Sequence, residues 1–132
     1  MIVGPSGRIA WTGFVGGHYV ARSARIDRQL EQDQLLSPPT VDAQLTDLVT
    51  DGAGDVLALW ASVVGTTTTP VVAAHIRPAG ARTFGPAQVV LTGVDVSGTA
   101  AGAIAPGRAI VAGGQPEQIS GSAAVRVTEL TG

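Results

Sequence analysis

The chain of 132 residues contains no cysteine, no lysine and no asparagine. Without cysteine there is no disulfide framework, no thiolate nucleophile and no zinc–sulfur site, and composition carries no mark of a redox compartment. Without lysine there is no P-loop lysine, no Schiff base and no lysine general base. All eight basic residues are arginine. Without asparagine there is no N-glycosylation sequon and no Asn-Gly hairpin turn. Aromatic residues are scarce, with two Trp, one Tyr and two Phe, although 45% of the chain is apolar. The core is therefore expected to come from Val, Ala, Leu and Ile. No apolar run approaches the roughly 20 residues of a membrane-spanning helix, so membrane insertion is not expected. Met1 leads into a strand-like stretch rather than a basic and then apolar leader, so no signal peptide is expected in this chain. A net charge of -2 gives no basic footprint, which argues against a nucleic-acid partner.

What the chain does have is punctuation. Eighteen glycines and eight prolines separate short β-branched or alternating segments, the pattern of strands joined by turns. Strands are predicted near 8–15, 18–26, 30–36, 45–50, 55–63, 70–77, 83–91, 99–104, 108–112 and 123–130. The best helix candidate, 25–36, has helix-forming Leu, Gln and Glu. Its apolar positions Ile26, Leu30, Leu35 and Leu36 make a poor stripe, however, and Pro38 and Pro39 follow at once.

The segments also repeat. Ile2-Val3 leads through Gly4 to Gly7 into "RIAWTGFV"; Leu48-Val49 leads through Asp51 to Gly54 into "DVLALWASVV"; Ile104-Ala105 leads through Pro106-Gly107 into "RAIVAGG". Each reads as a β-hairpin with a tight glycine turn. Downstream, "VARSAR" from Val20 matches "VAAHIR" from Val72. Leu30, Gln34, Leu35 and Leu36 match Phe84, Gln88, Val89 and Val90. One unit is thus a four-stranded antiparallel meander. Three units in one structural domain are expected, at 1–41, 42–95 and 96–132, the third lacking its fourth strand.

Four-stranded units of this length suit the blades of a β-propeller. The stretch "DGAGDVLALWASVVGTTTTPVVAAHIRPAGARTFGPAQVVLTG" resembles one blade of the actinobacterial secreted or surface propellers of the sialidase-like or WD-type superfold. The resemblance rests on Asp51, Gly54 and Trp60, then Ala74, Arg77, Pro78, Gly80, Phe84, Gly85 and Pro86. It departs from the sialidase Asp-box, because Val49, Ala53 and Val56 stand where Ser, Gly and Trp belong. The resemblance therefore implies a non-catalytic scaffold or binding module, not a glycosidase, and a secreted or cell-surface setting. Fewer than three complete blades cannot close a ring, so self-association or neighbouring blades of a longer chain are expected as partners. A β-trefoil, a β-prism and a plain sandwich stay open as folds, the trefoil as a carbohydrate-binding module.

No residue constellation points to catalysis, a metal or a cofactor. Asp51 and Asp55 flank Gly52-Ala53-Gly54 in a turn, a place where Asp bonds its own backbone and Gly accepts positive φ. His18 and His75 have no third ligand at metal-site spacing. There is no Gly-x-Ser-x-Gly elbow. Trp11 and Trp60 are expected to pack between blades. Meander topology divides the links between two ends. The first-to-second and third-to-fourth links read as short. The others, "FVGGH", "SPPTVDAQ", "VGTTTTP", "TGVDVSGT" and "GGQPEQISG", read as long. Binding groups gather on long loops held by a rigid scaffold. The expected ligand-binding residues are Thr66, Thr67, Thr68, Asp95, Gln115 and Glu117, with Asp42 and Asp47 on the same face. A protein or glycan surface is the expected ligand.

Overall fold

The computed structural model describes residues 2–3, 7–25, 33–62, 71–93, 95–105, 108–116 and 123–131. It is all-β, with no helix among those residues and every strand pairing antiparallel. Strands β1 (Ile2–Val3), β2 (Arg8–Val15), β3 (His18–Arg25) and β4 (Gln34–Leu35) form the first sheet, in that order. A second meander follows from β5 (Ala43–Thr50), β6 (Val56–Ser62), β7 (Val71–Arg77) and β8 (Gln88–Thr92). The third sheet has three described strands, β9 (Asp95–Ala105), β10 (Arg108–Pro116) and β11 (Ala123–Thr131). Among the described residues no sheet closes on itself. Of the stretch weighed as a helix, 26–32 lies outside the described residues and 34–35 is strand.

The sheets stack in chain order, with the second in the middle. Its strand β6, "VLALWAS", is buried at all seven positions. A half-buried strand alternates apolar and polar, whereas one covered on both faces reads as a continuous apolar run. Even-numbered Val56, Ala58 and Trp60 pack with Ala10 and Ala21 of the first sheet. Odd-numbered Leu57, Leu59 and Ala61 pack with Val111, and Ala101 and Ala109 border that cluster from the third sheet. Alanine lines both interfaces, which compensates for the scarcity of aromatics by letting backbones approach closely.

A bulge in β5 adds polar ties to this stack. The β5–β6 register shifts between Leu45 and Asp47, so Thr46 is the extra residue and the local ladder is interrupted. The Leu45 N–H released there donates to Thr12 Oγ1 of the first sheet at 3.0 Å. Asp47 Oδ2 accepts the Ala101 N–H of the third sheet at 3.0 Å, while its Oδ1 accepts the Leu48 N–H. One irregularity in the first strand of the middle sheet thus anchors both neighbours. Asp47 is accordingly a strand residue holding two sheets together, not part of a loop face.

Candidate functional site

The two ends of the sheets differ from the expected pattern of links. "FVGGH" is a two-residue turn: Val15 pairs with His18, and Gly16 and Gly17 have φ of 60° and 94°. Two consecutive left-handed residues make a type I′ hairpin, which glycine adopts without strain. The third-to-fourth link of the second sheet, by contrast, runs through ten residues from Pro78 to Ala87. Length alone therefore misassigns which end carries structure.

That ten-residue link builds a polar joint between the first two sheets. Phe84 inserts into the shared core, and Gln34 of β4 clasps its backbone. The Phe84 N–H donates to Gln34 Oε1 at 2.8 Å, and Gln34 Nε2 donates to the Phe84 carbonyl at 3.0 Å. Arg8, buried in β2, donates to Ser23 Oγ at 3.2 Å and to the Arg82 carbonyl at 2.8 Å. Its guanidinium lies 5.4 Å from the Phe84 ring centroid. His75 is 5% exposed. Its Nδ1 lies 2.8 Å from the Gly85 carbonyl and its Nε2 lies 2.6 Å from the Leu36 carbonyl and 3.1 Å from Trp60 Nε1. The tautomer protonated on Nδ1 donates to Gly85 and accepts the indole N–H; the other donates to Leu36. The first bridges backbone and side chain and the second holds the Leu36 backbone, so in either form the ring ties β7 to its surroundings.

Asp51 and Asp55 are turn residues. Asp51 Oδ1 accepts the N–H groups of Ala53 and Asp55, and the Asp51 N–H donates to the Asp55 carbonyl at 3.1 Å. Gly54 has φ of 93° and its N–H donates to the Asp51 carbonyl. Asp55 Oδ1 accepts the Ala79 N–H at 2.6 Å, docking this turn onto the long link. Both carboxylates serve backbone donors.

At the opposite end lies the expected ligand-binding face. Thr66, Thr67, Thr68 and Glu117 lie outside the described residues. Asp95 opens β9 and pairs with Gly114, and Gln115 pairs with Ala124. The backbone thus brings Asp95 and Gln115 to the same end of adjacent strands, within strands rather than loops. Beside the Gly16-Gly17 turn stands a group that sequence reasoning missed. Phe14 and Tyr19 are 63% and 54% exposed, with ring centroids 5.2 Å apart and planes at 66°. Asp42 Oδ1 accepts the Tyr19 N–H at 2.8 Å and sits 3.4 Å from His18 Nδ1. The available signal was placement: two of five aromatics bracket a glycine pair. The two tryptophans behave differently. Trp60 is buried between sheets, whereas Trp11 is partly exposed on the far face of the first sheet, beneath the Arg22 guanidinium at 5.7 Å. Arg22 is ion-paired with Asp33.

Comparison of the chain with protein-family models, with curated proteins and with solved structures returns no match.

Proposed function

We propose that the chain is a non-catalytic scaffold of β-propeller type, three consecutive blade-like sheets completed by further sheets of a longer chain or by copies of itself. The observation that carries this reading is the constant polarity of the stack. Aligning the tryptophans sets Arg8-Ile9-Ala10-Trp11 beside Leu57-Ala58-Leu59-Trp60, and "RAIV" from Arg108 beside both; the strand registers then set Arg22 beside Ala73, one residue off the match of Val20 with Val72. In that frame the second sheet turns its Ala58 and Trp60 face to the first sheet. The third turns its equivalent Ala109 and Val111 face to the second. Successive sheets then follow one rotation, as blades do, rather than meeting as mirror partners. Separate meanders also fit blades better than the barrel of a trefoil. The commitment of Asp47, Asp51, Asp55 and His75 to backbone groups supports a structural over a catalytic role.

Light scattering on the 132-residue chain tests the reading. Species of two or more copies are expected, and a compact 13.2 kDa monomer at every concentration overturns self-association. A carbohydrate-binding reading is favoured by one observation, the exposed Phe14–Tyr19 pair beside Asp42, since aromatic faces stack on sugars while a carboxylate takes their hydroxyls. A glycan array on the parent chain and on Phe14→Ala tests it.

A further inference from the structure

Two sheet faces have no described strand stacked on them. On the first sheet it is the face of Ile9, Trp11 and Gly13, where Val20 and Ala24 are already buried and Leu35 is 43% exposed at the edge. On the third it is the face of Ile110, Ala112 and Gly102, opposite to Ala109 and Val111. In the tryptophan-aligned frame these faces are not arbitrary. Ile9 and Trp11 occupy the positions of Ala58 and Trp60, which mate with the preceding sheet. Ile110 and Ala112 occupy the positions of Leu59 and Ala61, which mate with the following one.

We infer that these two faces are each other's partners: the Trp11 face of one copy of this chain docks on the Ile110 face of a second copy, head to tail. The inference rests on the scaffold reading above and names the surfaces it uses. Arg22, the cation at the Trp11 face, is ion-paired with Asp33, and its guanidinium lies over the indole at 5.7 Å from the ring centroid. It can do so because Gly13 is beneath it, where an added Cβ would come within 2.8 Å of Arg22 Cδ. The ion pair leaves the Trp11 face electrically neutral; on the other side Ile110, Ala112 and Gly102 are uncharged, and the register sets Glu129 opposite Ile110 with Arg108 on the same face. The two sides also differ in bulk, a large indole against small residues, as Trp60 meets Ala10 and Ala21 within the chain.

A head-to-tail contact makes a prediction that a symmetric one does not. Trp11→Glu disables one face and Ile110→Glu the other, and each variant keeps one intact face. Each alone is expected to scatter as a 13.2 kDa monomer. Mixed, they are expected to form a 1:1 complex of twice that mass and to stop there. Fluorescence of Trp60, the remaining tryptophan of Trp11→Glu, and circular dichroism of Ile110→Glu verify folding. Should either substitution unfold the chain, Trp11→Ser and Ala112→Gln replace them. If folded variants keep the parent's mass, or their mixture stays monomeric, the face assignment is overturned while self-association stands. A monomeric parent chain overturns both.

Discussion

Gln34→Ala removes the clasp on Phe84, and its cost follows from two bonds. The side-chain amide both accepts the Phe84 N–H and donates to the Phe84 carbonyl, at 2.8 and 3.0 Å. A net protein hydrogen bond contributes about 0.5–1.5 kcal/mol. Phe84 is buried beside Arg8, so its stranded backbone groups gain little water in return, and the expected loss is about 2–3 kcal/mol. Urea denaturation at a fixed protein concentration measures it, together with amide exchange at Phe84. Gln34→Glu sharpens the test through pH. At neutral pH its carboxylate accepts the Phe84 N–H but faces the Phe84 carbonyl lone pairs. Once protonated, it donates to that carbonyl and restores both bonds. The folded state therefore binds the proton more tightly than the unfolded chain, whose carboxyl titrates near about 4.3. Relative to the parent, Gln34→Glu should be weakest at neutral pH and recover as pH falls toward and below about 4.3. Loss under about 0.5 kcal/mol in Gln34→Ala, or a pH-independent gap in Gln34→Glu, would refute the clasp.

Two further expectations follow from the stack. Leu59→Ala, at a fully buried position of the doubly covered strand, should cost about 3–4 kcal/mol; Val89→Ala, 61% exposed on β8, should cost under about 0.5 kcal/mol. Equal effects in thermal or urea unfolding would contradict a middle sheet buried on both faces. Asp51→Ala should cost about 1 kcal/mol by freeing the Ala53 and Asp55 N–H groups. Added calcium should leave the parent's melting temperature unchanged; a calcium-dependent rise would restore the aspartates as a metal site.

Some of this fold is written locally and some is not. The unbroken apolar run from Val56 to Ala61 announces a strand buried on both faces. Asp51 and Gly54 announce their turn because the side chain and the backbone angle are local matters. The link after β7 is different. Pro78, Gly80 and Gly85 mark irregular structure, yet the backbone of the core residue Phe84 is held by Gln34, fifty residues earlier. His75 gives no sequence sign of burial, since its partners come from Leu36, Gly85 and Trp60. Non-local partners decide those positions, and no window around them reveals it. The candidate site was least legible. Phe14 and Tyr19 look like ordinary strand residues until the hairpin leaves them outside.

The polarity of the stack has one more consequence. An interface whose two sides differ carries a growth rule without a terminator, since each added unit offers the surface that received it. In the head-to-tail assembly proposed above, nothing chemical in Trp11 or Ile110 counts copies. The angle between one sheet and the next does, returning the chain of copies to its start as a ring or letting it run on as a filament.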